Sequence, residues 1–151
     1  MSRVLVLVPA RRGATRLPDK PLADIAGAPM IVHVWRRAVA AGIGEVVIAC
    51  DDPAVAAVVE DAGGRAALTR VDHASGSDRI FEALEAVDSD GRAEIVVNLQ
   101  GDMPTIPPAD VATCLAALEA DPAADIATLV ATVVDPAERD DPNVVKCVGS
   151  K

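Results

Sequence analysis

Apolar runs alternate with polar breaks along the chain, and this pattern predicts a series of strands and helices. Val4–Ala10 and Glu45–Cys50 are continuous β-branched runs without helical periodicity, which is typical of strands buried on both faces. Met30–Ala41 carries apolar residues at helical spacing and predicts a helix that ends before Gly42. Further helices are predicted at Pro53–Ala62, Ser75–Val87 and Pro108–Ala120, and further strands at Arg65–Thr69, Glu94–Gln100 and Ile126–Val134, with a last strand beginning over Asn143–Val148.

The order of these elements predicts one α/β domain over residues 1–151, because 151 residues is the usual length of a single domain. Alternating strands and helices favour a mostly parallel sheet with helices on both faces. Ligands of such folds bind where the strands end, at their carboxyl ends. The candidate site loops are therefore Arg11–Leu22, Asp51–Pro53, Arg70–Ser77 and Gly101–Pro107.

Composition excludes several classes of protein. Hydrophobic residues make up 51% of the chain, but no apolar run reaches the ~18 residues of a membrane span, and the start lacks a secretory signal. A net charge of −9 argues against nucleic acid as a partner. The three cysteines, Cys50, Cys114 and Cys147, form no Cys-x-x-Cys pair, so we expect small buried hydrophobes in a cytoplasmic protein rather than disulfides or zinc ligands.

Positive charge is concentrated near the start of an otherwise acidic chain. Arg11, Arg12, Arg16 and Lys20 all lie in the loop that follows the first predicted strand. Guanidinium forks and an ammonium group gathered in one loop suit a polyphosphate ligand. A solvated loop that forms surface ion pairs explains the same charges equally well. The loop matches neither the Walker A motif nor the Gly-x-Gly-x-x-Gly fingerprint, so any phosphate binding must use another arrangement.

Three carboxylates follow predicted strands directly. Asp102 could hold a divalent cation at the end of the fourth strand, although a turn aspartate bonded to its own backbone is the simpler interpretation of that residue alone. Asp51 and Asp52 could also suggest a metal site, but Asp52 before a proline is better explained as a helix N-cap. His33 is expected to pack within its helix, and the role of His73 stays open.

Five sequence blocks in order point to one enzyme family. Pro9–Leu22 resembles the signature loop of sugar nucleotidyltransferases. Pro29–Val34, Thr69–Arg79, Asn98–Pro104 and Asp141–Lys146 narrow the resemblance to the 3-deoxy-manno-octulosonate (KDO) cytidylyltransferases, also called CMP-KDO synthetases. The resemblance covers nearly the whole chain and implies a Rossmann-like nucleotidyltransferase fold.

The resemblance also implies a reaction and its residues. Members of the family transfer CMP from CTP to KDO for lipopolysaccharide biosynthesis, which would take place in the cytoplasm. By position, Arg16, Lys20 and Asp102 would be the catalytic residues, with Asp102 holding Mg²⁺. The implied nucleotide-binding residues are Pro9, Ala10, Arg11, Arg16, Lys20, Arg70, Ser75, Gly76 and Gln100.

Two departures from the family pattern limit these expectations. Ala14 stands where many relatives have serine, which removes one potential hydroxyl contact with phosphate. The family also continues beyond Lys151 with a part that carries a second metal-binding carboxylate, most sugar contacts and the homodimer interface. We therefore expect an incomplete domain with reduced or no turnover. A cytidylyltransferase for another acidic sugar, of the sialic-acid type, and a non-catalytic nucleotide-binding module are the alternatives.

Overall fold

The computed structural model describes residues 3–13 and 18–149, and its centre is a parallel sheet. The elements, in chain order, are β1 (Val4–Ala10), a 3₁₀ helix (Lys20–Leu22), β2 (Asp24–Ile25), β3 (Ala28–Pro29), α1 (Met30–Ala40), β4 (Glu45–Cys50), α2 (Pro53–Asp61), β5 (Arg65–Leu68), α3 (Gly76–Val87), β6 (Ile95–Asn98), α4 (Pro108–Ala120) and α5 (Pro136–Asp140). The predicted elements up to α4 are confirmed to within about two residues at their ends. The short antiparallel pair β2–β3 had no signal in the apolar pattern.

The order in which strands are added to the sheet reverses beside β1. Its strand order is β5–β4–β1–β6, and every pairing is parallel. The chain builds outward from β1 through β4 to β5, then crosses back to place β6 on the other side of β1. Such a reversal opens a crevice at the carboxyl ends of the two strands that flank it, which here are β1 and β6.

Helices cover both faces of this sheet, as the sequence predicts. Val6 and Val8 of β1 face a core built with α1 and α2, to which Val111 of α4 also belongs. Leu5 and Leu7, which alternate with them, face a second core built with α3. Successive side chains of a strand point to opposite faces, so β1 is apolar on both and is almost completely buried.

Two strand predictions are wrong. In the described part of the chain, neither 126–134 nor 143–148 forms a strand, and the only regular element there is α5. Ile126, Val134 and Val145 are 84%, 86% and 96% exposed. An apolar β-branched run forms a strand only when a neighbour accepts its hydrogen bonds, and neither segment pairs with a strand of the sheet.

The cysteines differ in burial more than the sequence predicts. Cys50 at the end of β4 is fully buried, and this burial raises the pKa of its thiol to about 11. Cys114 is half-buried, whereas Cys147 is exposed, which contradicts the expectation of burial because its segment packs against no core. Among the described helices, none combines the length and the apolarity needed to cross a membrane.

Candidate active site

A cavity of about 300 Å³ lies at the carboxyl ends of β1 and β6, where the strand order reverses. This volume is at the lower end of the range for small-molecule sites, roughly 300–1,000 Å³. The predicted site residues that line it are Pro9, Ala10, Arg11, Lys20, Ser75, Gly76, Gln100 and Asp102. The structure therefore brings together residues from three of the four candidate loops.

A cation and a carboxylate meet across this cavity. Lys20 begins the 3₁₀ helix after β1, and Asp102 follows β6. The Lys20 Nζ donates to Asp102 Oδ2 at 2.8 Å, and both side chains are partly exposed. In the part of the chain that the structure describes, the Asp102 carboxylate bonds to Lys20 and not to its own backbone. This geometry favours a site carboxylate over the simple turn aspartate.

A glycine holds the Asp102 loop against the end of β1. A Cβ atom on Gly101 would lie 2.3 Å from the carbonyl oxygen of Pro9, closer than real contacts allow. Only a residue without a side chain permits this approach of two backbones. The Gly101 contact therefore fixes the position from which the neighbouring carboxylate reaches the cavity.

The basic loop divides between the cavity and the solvent. Arg11 and Lys20 line the cavity, but Arg12 turns away from it and pairs with Asp19 and with Asp52, the latter at 2.9 Å. The hydrogen bond with Asp19 raises the pKa of the Arg12 guanidinium the most, and the bond with Asp52 raises it further. The surface ion-pair interpretation thus describes Arg12. Arg16 lies outside the described residues.

Among the described residues, Arg70 is the predicted nucleotide-binding residue that does not line the cavity. Its side chain is 69% exposed, and its Nε lies 3.6 Å from Glu82 and 3.8 Å from Asp72. Exposed pairs of this kind are weak and screened by salt. The guanidinium is therefore held only loosely on the outer side of the loop.

Two polar residues of the cavity, His73 and Arg79, had no assigned role in the sequence. His73 is 6% exposed at its side chain, and its Nε2 bonds the carboxylate of Glu82 on α3, which lowers the pKa of that carboxyl group. Arg79 also lines the cavity, and its side chain is 3% exposed. The available signal was the position of Arg79 one turn before Ala83, on the apolar face of α3. The start of that helix is fixed by a capping box.

The carboxylates near the cavity do not form a preassembled metal centre. Asp52 accepts from the Ala54 backbone at 2.8 Å, which confirms it as the N-cap of α2, and His33 is satisfied by the carbonyl of Ile25. Within residues 3–13 and 18–149 there is no group of three or more potential ligands. Mg²⁺ commonly binds one or two carboxylates together with water and substrate phosphates. A single accessible carboxylate, Asp102, fits that mode of binding.

A sequence profile for the family described as "Cytidylyltransferase" matches residues 5–151. The chain belongs to the cytidylyltransferase family. Among curated cytidylyltransferases, it is 64% identical over 149 residues to the 3-deoxy-manno-octulosonate cytidylyltransferase of Methylorubrum extorquens (strain PA1), covering 99% of this chain and 60% of that protein. The enzyme of the same name from Xanthobacter autotrophicus is 63% identical, with 98% and 58% covered. The chain thus spans about 60% of the length of these relatives.

Solved structures of cytidylyltransferases show the same fold. A CMP:2-keto-3-deoxy-manno-octonic acid synthetase complexed with CTP superposes with a TM-score of 0.75 at 50% identity, covering 81% of this chain and 49% of that one. A cytidylyltransferase from Leptospira borgpetersenii gives a TM-score of 0.68 at 20% identity, covering 82% and 51%. The Rossmann-like nucleotidyltransferase fold that the sequence blocks imply is confirmed.

Proposed function

We propose that the whole protein transfers CMP from CTP to KDO, releasing pyrophosphate, and that this chain supplies its CTP-binding part. The observation that carries the proposal is the meeting of Lys20 and Asp102, with Arg11, in one cavity at the switch point of the sheet. The names of the curated relatives support KDO as the acceptor and CTP as the donor. The share of their length that the chain covers restricts the claim for this chain to nucleotide binding.

Arg11 and Lys20 are proposed to bind the triphosphate, together with Arg16. Phosphoryl transfer needs little covalent work from a protein and depends on positioning and on stabilising negative charge. In the free protein, the Lys20 ammonium is paired with a carboxylate that is itself half exposed. A triphosphate carries more negative charge than that carboxylate, so we expect it to compete for the ammonium group.

Asp102 is the residue proposed to hold Mg²⁺. When bound there, the ion would offset the negative charge of the nucleotide phosphates and of the leaving pyrophosphate. The contribution of the chain is the accessible carboxylate at the cavity edge, placed within reach of the same space as the phosphate-binding cations.

The rest of the cavity lining is proposed to border the cytosine and ribose. Ser75 and Gly76 begin α3 at one side of the cavity, and Gln100 stands at the other. Pro9 and Ala10 form its floor at the end of β1. Arg70 could join this wall only by leaving its exposed partners, which is inexpensive because those contacts are weak.

In the proposed reaction, the anomeric oxygen of KDO forms a bond to the α-phosphorus of CTP. The bond from that phosphorus to the bridging oxygen breaks, pyrophosphate leaves with the electron pair, and the hydroxyl proton is released. KDO contacts and a homodimer interface are proposed for the remaining part of the whole protein. Its place of action is proposed to be the cytoplasm, where CTP is available.

Calorimetric titration of this chain with CTP, with and without Mg²⁺, tests the binding proposal. We expect Mg²⁺ to strengthen CTP binding in the wild type and to have little effect in Asp102→Asn. Asp90→Asn is the control, since Asp90 forms an exposed ion pair with Arg92 in the loop before β6, at the other end of the strand that Asp102 follows. CTP binding that ignores Mg²⁺ and tolerates Asp102→Asn would instead support a non-catalytic nucleotide-binding module.

Pyrophosphate release by the whole protein tests the acceptor. We expect release with KDO, CTP and Mg²⁺ together, and none when the acceptor is omitted. A panel of acidic sugars separates the alternatives, since preference for a sialic-acid-type acceptor would contradict the assignment of KDO. The same assay on this chain alone measures how much turnover the nucleotide-binding part retains.

A further inference from the structure

An ion pair is buried beneath the cavity, between α3 and the loop after β4. The Arg79 Nη2 donates to Asp51 Oδ2 at 3.0 Å, and the two side chains are only 3% and 10% exposed. Removing two charges from water is costly, and a buried ion pair is often no more stabilising than apolar residues of similar size. Its presence therefore calls for an explanation other than stability.

The further bonds of the pair reach two other segments of the chain, the start of the loop after β5 and the loop after β1. The Arg79 Nη1 donates to the Thr69 hydroxyl at 2.5 Å and to the Arg70 carbonyl at 3.0 Å. The second oxygen of Asp51 accepts from the backbone N–H of Arg12 at 3.0 Å. The Thr69 hydroxyl in turn donates to the carbonyl of Cys50 at 3.1 Å. In the described residues no buried side-chain nitrogen or oxygen is left without a partner.

This network joins the two walls of the cavity. One end is the backbone of Arg12, next to Arg11, on the wall proposed to bind phosphates. The other end is the carbonyl of Arg70, where the loop leading to Ser75 begins. The Arg79 guanidinium and the Asp51 carboxylate form the side-chain link between these two ends. Each wall is therefore bonded to one member of the same ion pair.

We propose that Asp51 and Arg79 are positioning residues, which fix the width of the cavity for a ligand that contacts both walls. The inference rests on the proposed function, because it takes the nucleotide as that ligand. Asp51 acts through the backbone of the phosphate-side loop, and Arg79 acts through the backbone of the base-side loop. The planar guanidinium fork is required, since its two terminal nitrogens serve three acceptors. A lysine ammonium lacks that planar arrangement.

Two ligands of different length test the proposal. Inorganic tripolyphosphate contacts only the phosphate side, whereas CTP spans both walls. In Asp51→Asn and in Arg79→Lys, we expect CTP affinity to fall about 10- to 100-fold, the usual effect of losing a supporting contact behind a site. Tripolyphosphate affinity should change little. Arg79→Lys keeps the charge of the pair, so it serves if Asp51→Asn folds poorly.

Glu45→Gln and Arg65→Lys are matched controls. These residues form an exposed ion pair between the first residues of β4 and β5, at the ends of the strands remote from the cavity. We expect both controls to bind CTP like the wild type. All titrations are made where circular dichroism shows the variants folded, and urea unfolding is measured in parallel.

The outcomes separate this inference from the function on which it rests. If the wild type binds CTP and both network variants bind it equally well, the positioning role is wrong and the proposed function stands. Equal weakening of CTP and tripolyphosphate would also overturn it, since a merely structural defect affects both ligands. A wild type that binds neither ligand would overturn the proposed function and the inference together.

Discussion

Replacing Gly101 with alanine should disturb the site in a calculable way. The added Cβ would lie 2.3 Å from the Pro9 carbonyl oxygen, whereas ordinary contacts begin at 3.4 Å. The ends of β1 and β6 must therefore separate by about 1 Å, and the obstacle is backbone, which cannot rotate aside. Forcing extra volume into such a contact typically costs about 1–3 kcal/mol of stability. The same displacement moves Asp102 relative to Lys20, and misplacement by about 1 Å can cost about 100-fold in function.

Gly44→Ala provides a control with the same steric defect elsewhere. Its Cβ would lie 2.2 Å from the carbonyl oxygen of Val4, at the other end of β1. We expect both variants to lose comparable free energy of unfolding in urea titrations. Only Gly101→Ala should lose CTP affinity in the presence of Mg²⁺, with Gly44→Ala within about twofold of the wild type, since distant sites act independently. Equal CTP affinity in the two variants would refute the link between the Gly101 contact and the site.

Three further predictions concern the core, the loop and the thiols. Leu7→Ala should lower the free energy of unfolding by about 2–5 kcal/mol in urea titrations, because Leu7 is fully buried. The hydrogen bond with His73 lowers the pKa of the Glu82 carboxyl group below its ordinary value of 4.5. The ionised carboxylate therefore stabilises the fold above pH 4.5, and this contribution is lost as the pH falls below 4.5. Glu82→Gln should therefore flatten that part of the acid-unfolding curve. A thiol reagent at pH 8 should modify Cys147 quickly, whereas Cys50 should react only on unfolding.

The sheet could be predicted because its strands are buried on both faces. Val4–Ala10 and Glu45–Cys50 match their predicted bounds, since a run that is apolar apart from Glu45 leaves few alternatives to a central parallel strand. Ile126–Val134 shows the same pattern and forms no strand. The sequence of a segment indicates that it can form a strand. It does not identify the strand with which that segment would pair.

The site was predictable where a residue lies in a loop that follows a strand. Lys20 and Asp102 meet because both follow neighbouring strands of a parallel sheet, although 82 positions separate them. Asp51 and Arg79 were missed as a pair because no sequence pattern links the two charged residues. Their contact depends on how α3 packs on the sheet. The distribution of Arg11 and Arg12 between cavity and solvent likewise depends on the loop backbone, which residue type does not determine.

The central place of β1 has a consequence for how the chain folds. β1 precedes in the chain both of the strands that pair with its edges, since Leu5 pairs with Glu45 and Val4 pairs with Ile95. Translation adds about 5–20 residues per second, so several seconds pass before the second partner exists. Throughout that interval one edge of an apolar strand is open to other chains. We expect folding in the cell to depend on chaperones, and expression at lower temperature to raise the recovered fraction.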